Sequence, residues 1–333
     1  MNPRSILALG VGGLAAVAAV VFGVTKQVGV KSYGYPVGRV VRTGQHLSVL
    51  IETRNPYMPS LKGRPESDMS YSYSLWLIPE TGDGDINTVR LDRSVRSGDR
   101  MHTAGVHGFD NGVVWCGIKN MVGVDIATSR VVDKTVPAAI DKLTISDLLV
   151  ERDSPLADYK ADSVALPSGD WLFLADDEET QKELTPGTRL YDNSPAKRSF
   201  LNRKPRFVTV QEGPIPRVAT ANIAGTAEFK NGAFMRSTKN GKVIKFTNPE
   251  GFLIVHEAGV PGKPSVHFSR LNIDGSVAWT VDTKIGTFTQ ILPHDTLPAF
   301  VGQLPGELTE PTLTVVNLKD GTAKTKSLVG PLN

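Results

Sequence analysis

Cysteine is almost missing: the chain of 333 residues has one, Cys116, inside the apolar run Val113-Val114-Trp115-Cys116. A single cysteine closes no disulfide within the chain and builds no thiolate metal site, so in that run it reads as a small buried hydrophobe. An excess of one charge is missing too. Lys and Arg number 37 against 34 Asp and Glu, a net charge of +3, and the basic residues are scattered. A nucleic-acid binder carries a basic stripe, so nucleic acid is not an expected partner.

Catalytic signatures are missing as well. No G-x-S-x-G elbow occurs, and a serine–histidine–aspartate set chosen freely from such a composition decides nothing. The six histidines, His46, His102, His107, His256, His267 and His294, show no H-E-x-x-H or H-x-H spacing, so no metal site is expected. Asp83-Gly84-Asp85-Ile86-Asn87 imitates the start of a calcium loop. Thr88 stands where that loop needs glycine and Ser94 where it needs glutamate, so a hairpin turn is the better reading. Gly259-Val260-Pro261-Gly262-Lys263-Pro264-Ser265 lacks phosphate-loop spacing, and its prolines remove backbone donors; it reads as a loop between strands. The acidic run Asp176-Asp177-Glu178-Glu179 reads as a solvated loop. No catalytic residue, cofactor or metal is therefore assigned.

What is present begins with Ile6–Val24, which holds no charged residue. As a helix it spans about 28 Å, close to the hydrocarbon core of a bilayer. The polar stop at Thr25-Lys26-Gln27 fits an uncleaved anchor, while Val21-Phe22-Gly23 is a candidate small-residue cleavage site of a signal peptide. Both readings carry the rest of the chain across the membrane. The expected division is a targeting helix over residues 1–25, a linker over 26–36 and an extracytoplasmic domain over 37–333, inner-membrane anchored or secreted.

The chain has 32 Gly and 22 Pro, spread evenly, as turn punctuation between short strands. Strand-type runs include His46–Thr53, Tyr71–Ile78, Val113–Cys116, Val164–Leu166, Trp171–Ala175, Phe207–Val210, Val243–Phe246, Phe252–His256, Val266–Ile273, Ala278–Val281 and Leu313–Leu318. Turns at Gly82–Asp85, Asp110–Gly112, Ser168–Asp170, Lys230–Gly232, Lys239–Gly241, Ile273–Gly275 and Lys319–Gly321 supply the positive φ angles of tight hairpins, which argues for an antiparallel meander. One helical exception is expected within Val136–Glu151, where Ile140, Leu143, Ile145, Leu148 and Leu149 follow helical spacing. Asp176–Gly187 and Tyr191–Lys204 are expected to be polar loops.

Leu271-Asn272-Ile273-Asp274-Gly275-Ser276-Val277-Ala278-Trp279 resembles the repeat of quinoprotein-type, PQQ-like β-propellers. Val124–Val131 resembles the same hairpin with Ser129 in place of glycine, and Val316–Ala323 is a third copy lacking the tryptophan. The resemblance implies an all-β fold, a β-propeller of about six or seven blades beginning near residues 46, 101, 163, 224, 252 and 288. A two-domain β-sandwich is the rival architecture. Many enzymes of that family carry adjacent cysteines beside the cofactor; this chain has only Cys116, so no cofactor is carried over. The functional expectation is a membrane-tethered binding or scaffolding module of the cell envelope, using Ile6–Val24 for the membrane and loops such as Asn55–Asp68 for a protein or glycan partner. The alternative is an enzyme with a pocket assembled from different blades.

Overall fold

Each hydrophobic run is bounded by residues that turn the chain back on itself, and the result is a succession of antiparallel ladders. The computed structural model describes residues 33–54, 70–141, 143, 156–166, 171–175, 202–211, 217–222, 228–237, 240–306 and 310–331. The first sheet runs β1 (Tyr33–Thr43), β2 (His46–Arg54), β3 (Ser70–Pro79) and β4 (Asn87–Arg96). The second is β5 (Gly105–Asp110), β6 (Val113–Gly117), β7 (Met121–Asp125) and β8 (Arg130–Val132). A four-residue helix, α1 (Ala138–Asp141), follows and sets Ile140 against Val113 and Trp115.

The third sheet holds ten strands: β9 (Lys160–Ala161), β10 (Ser163–Ala165), β11 (Trp171–Ala175), β12 (Asn202–Gln211), β13 (Arg217–Asn222), β14 (Phe229–Met235), β15 (Lys245–Thr247), β16 (Glu250–Val260), β17 (Lys263–Asn272) and β18 (Val277–Asp282). The fourth is β19 (Thr287–Leu292), β20 (Ala299–Gln303), β21 (Pro311–Asn317) and β22 (Thr322–Ser327). The last strand, β23 (Gly330–Pro331), returns to the first sheet and pairs with Tyr33 and Gly34 at the start of β1.

The mostly-β expectation holds, with corrections of detail. The frames near residues 224 and 252 are not separate units, because β14 pairs with β16 in one ladder. Lys230–Gly232 is not a hairpin turn. Asn231 takes φ 50° inside β14, where the register against β16 shifts between Lys230 and Ala233, so the Asn-Gly pair makes a bulge. Of the expected helix over 136–151, the described residues are helical only over Ala138–Asp141, α1. β1 begins at Tyr33, within the stretch read as linker, since β23 and β2 give its backbone partners there. The turn Ser168–Asp170 lies outside the described residues. So does Ile6–Val24; among the described residues no helix is long and apolar enough to cross a membrane.

The sheets share cores. Leu50, Leu75 and Leu77 of the first pack with Val106, Val114, Cys116 and Val124 of the second. Val40, Leu47 and Val49 meet Leu292, Ala299 and Val315 of the fourth. Leu253, Val255, Phe268 and Val281 of the third meet Phe288, Phe300 and Val316 of the fourth. At that last seam the rings of Phe268 and Phe288 each lie 5.0 Å from Phe300.

One polar contact crosses a seam where backbone groups need it. The β1–β2 register shifts between Val37 and Val41, taking Gly38–Val40 out of the ladder. The Gln290 side chain of β19 meets both polar groups of buried Val40, accepting from its N–H at 2.9 Å and donating to its carbonyl at 2.7 Å. An amide is the side chain that does both at once. Gln290→Leu orphans a donor and an acceptor together and is expected to cost about 2–3 kcal/mol. Urea denaturation measures it, with exposed Thr287→Ala as the near-neutral reference; equal midpoints for the two variants would remove Gln290 from this role.

Candidate functional site

Three constellations of polar side chains are brought together by the fold. The first lies at the root of the Asn55–Asp68 loop, which itself falls outside the described residues. Glu52 of β2 accepts from the Tyr73 hydroxyl at 2.5 Å and pairs with Arg100 at 3.3 Å. Arg100 sits 4.9 Å above the Tyr71 ring. Burial, then the bond to Glu52, raises the Tyr73 phenol well above its ordinary range. Every member has an internal partner, so the group reads as a brace between β2, β3 and the β4–β5 connection.

The second resembles a nucleophile–base pair. His256 of β16 and Ser269 of β17 lie on one face of the third sheet, with His256 Nε2 and Ser269 Oγ 2.8 Å apart. Ser269 is also 2.7 Å from the Thr280 hydroxyl, and His267 stands directly across the ladder from His256. Chemistry of that type needs an exposed nucleophile and a third group orienting the base. Ser269 is fully buried, and the groups packed against the imidazole are His267 and the edge of Phe229. Burial first, then His267, push the His256 pKa down to about 4. The pair is a neutral, desolvated hydrogen bond inside the sheet.

The third is concave. After β14 the chain makes a short hairpin in which Arg236 bridges to Val243, and Ser237 donates its N–H to the Lys242 carbonyl at 2.7 Å. Facing it is the β19–β20 connection, folded on itself by His294, whose Nδ1 accepts the N–H of Leu297 at 3.0 Å and of Thr296 at 3.2 Å. Two N–H groups aimed at Nδ1 place the ring proton on Nε2, which faces Glu80 Oε1 at 3.7 Å. Glu80 is held by an ion pair with Arg42, and Arg42 also donates to the Leu297 carbonyl at 3.0 Å. The first sheet thus fixes the far wall.

Between the two walls lies a cleft of about 570 Å³. Beneath it lies the buried seam core, Met235, Leu253, Phe268, Phe300 and Leu318, flanked by the half-exposed Ile244 and Ile291. Arg236 and Lys242 stand exposed on the hairpin wall, and His294 and Asp295 on the other. Lys245 contributes its stem only, because its ammonium turns to the Ala165 carbonyl at 3.0 Å. A cleft of this size, apolar within and polar at the mouth, is the ordinary form of a small-molecule site.

The expected positions fall apart in space. Cys116 is fully buried, and burial pushes its thiol up to about 12, the behaviour of a core residue. His107 is buried with Nε2 2.8 Å from the Thr103 carbonyl. Asp83 sits in a turn and pairs with Lys324 at 3.1 Å. Gly259 and Gly262, at φ 112° and 85°, make the β16–β17 turn. The run Asp176–Glu179 lies outside the described residues. Among the described residues no three His, Cys, Asp or Glu are grouped to hold a metal ion. The cleft itself was not readable from sequence, although Asn240, at one of its polar ends, fell in an expected turn.

No family model matches the chain, and no curated protein matches it. Among solved structures the chain is similar to one titled "Structure of RS223-Beta-xylosidase", at 11% identity and a TM-score of 0.19, over 91% of this chain and 93% of that one. A likeness that slight carries neither fold nor function across.

The buried imidazole carries a pH signature. The unfolded chain takes up a proton on His256 near the ordinary value of 6.5, whereas the folded chain does so only near 4. The unfolded state therefore binds more protons between those values, and stability is lost as pH falls through that window, by about 3 kcal/mol in all. Denaturation midpoints of wild type and His256→Gln, taken at pH 7 and 4.5, are expected to differ in pH slope, the variant being flatter. Parallel slopes would mean that His256 takes up its proton equally readily in the folded and unfolded chains.

Proposed function

We propose that the chain is a ligand-binding module of the cell envelope, of β-propeller type, carried to the membrane by Ile6–Val24. The observation that carries the binding role is the cleft at the seam of the third and fourth sheets, where an apolar floor opens under a polar mouth. Binding is preferred to catalysis on the chemistry of its one imidazole. His294 has Nδ1 occupied by two backbone donors and Nε2 turned to Glu80, so neither nitrogen is free to take a substrate proton.

The propeller reading draws support from the repeated hairpins. In each of the three copies an aspartate carboxylate accepts a following backbone N–H at 2.9 Å: Asp125 from Thr128, Asp274 from Ser276 and Asp320 from Thr322. Trp279 of one copy covers Gly321 of the next, where any Cβ would strike the indole. The return of β23 to β1 is what closure of a ring of blades requires. On this reading the ten-stranded sheet comprises two blades, β10–β13 and β14 with β16–β18, and the count is five rather than six or seven.

The test is a ligand-detected NMR screen on the full chain, repeated with Ile244→Trp, which fills the cleft from its half-buried wall. Hits are expected to weaken by about tenfold or more in the variant, the loss of a ligand's apolar burial. Hits indifferent to Ile244→Trp, or turnover of a hit by the wild type, would overturn the binding role. N-terminal sequencing of the membrane fraction tests the location, a soluble mature protein starting near Val24 counting against an anchor.

A further inference from the structure

The charges around the cleft are divided between its walls. Arg236 and Lys242, both exposed, come from the hairpin that follows β14, and Asp295 from the β19–β20 connection opposite. Among the described residues neither cation has an ion-pair partner. Arg236 is engaged through its backbone, whose N–H donates to the Tyr159 carbonyl, and Lys242 through its own N–H to Asn240. The other groups at the mouth are already committed. Lys245 turns its ammonium away to Ala165, and His294 is locked by backbone donors and Glu80.

Two unneutralised cations stand beside an aliphatic and aromatic floor. Ile244 and Ile291, half-exposed, lie over the buried seam core of Phe268 and Phe300, so a ligand placed there covers the apolar atoms of those two isoleucines that otherwise face water. Asp295 repels an anion from the far wall, which directs it to the hairpin. A guanidinium and an ammonium group on the same wall suit a group with several acceptor oxygens, the guanidinium in bidentate fashion.

Building on the binding role proposed above, we infer that the cleft takes an anionic amphiphile, with a carboxylate or phosphate on Arg236 and Lys242 and an apolar ring or chain on the floor. A purely polar anion gains nothing from the floor, and a neutral hydrophobe leaves both cations unused. A cationic amphiphile meets one carboxylate, Asp295, against two like charges.

The experiment compares naphthoate, naphthylmethanol and inorganic phosphate by calorimetry on the full chain. The first two share a ring and differ in the carboxylate. Naphthoate is expected to bind about tenfold or more tightly than the alcohol, as one good charge-assisted contact provides. That margin should vanish in R236Q/K242Q and widen in Asp295→Asn, while Ile244→Trp weakens both ligands. All the charge variants lie at exposed positions and leave the core intact. Equal binding of acid and alcohol, both sensitive to Ile244→Trp, would overturn the anion preference and leave the binding role standing. Phosphate binding as tightly as naphthoate would overturn the amphiphile. Insensitivity of both ring compounds to Ile244→Trp would sink the binding role itself.

Discussion

Everything in this fold leans on three residues of β1 that are out of register with their own partner strand. Gly38, Arg39 and Val40 leave the β1–β2 ladder and are taken up by two neighbouring sheets, the first two by the second sheet and Val40 by the fourth. Gly38, at φ 70°, lies so close to Gly105 of β5 that a Cβ would sit 2.9 Å from the Gly105 Cα. Arg39 donates to the His107 carbonyl of the same strand at 3.2 Å. Val40 gives its two backbone groups to Gln290 on the other side. A bulge usually costs a ladder its local hydrogen bonds. Here the freed groups become the joints between the first sheet and its two neighbours, so an irregularity in one sheet fixes the placement of three.

The same strand reaches the cleft. Arg42, two residues past Val40, holds Glu80 and the Leu297 carbonyl, and through them the turn that carries His294 and Asp295. Both the Arg42 and Glu80 side chains are about a fifth exposed, so the pair is partly screened and worth no more than about 1 kcal/mol by itself. Its value is geometric. It holds a loop between two prolines, Pro293 and Pro298, at a fixed distance from the facing hairpin. A cleft whose walls come from different sheets keeps its width only if the sheets are fixed to each other, which is the work done around Val40.

Much of the fold was legible because strands and turns are local statements. Eleven segments read as strands fall in or against observed ones, since period-two hydrophobicity and positive-φ turn residues are written within a few positions. Strands rich in polar residues escaped: β22 (TAKTKS) and β13 (RVATAN) owe their form to a neighbouring ladder rather than to a pattern of their own. Lys230-Asn231-Gly232 misled for the related reason that an Asn-Gly pair supplies positive φ to a bulge as readily as to a hairpin. The site was the least legible part. Arg236 and Lys242 look like ordinary surface cations, and His294 has no metal-ligand or catalytic spacing to single it out. What makes them a site is that Phe268, Phe300 and Leu318 lie between them, and that is a property of sheet packing, not of any segment.

Two histidine arrangements, one buried and one exposed, show how weak residue identity is as a guide to chemistry. His256 and Ser269 satisfy the distance expected of a base and its nucleophile, yet the pair is sealed in the sheet and the imidazole is held neutral by desolvation. His294 is exposed at the mouth of a cleft, where a catalytic base belongs, yet its lone pair is spent on two backbone donors. Access without a free lone pair and a free pair without access fail for opposite reasons. What is left at the cleft is field and surface: two cations with no ion-pair partner among the described residues, one acid opposite, and an apolar floor. On the binding role proposed above, those properties would select a ligand by charge and shape, and no free base is needed at the cleft.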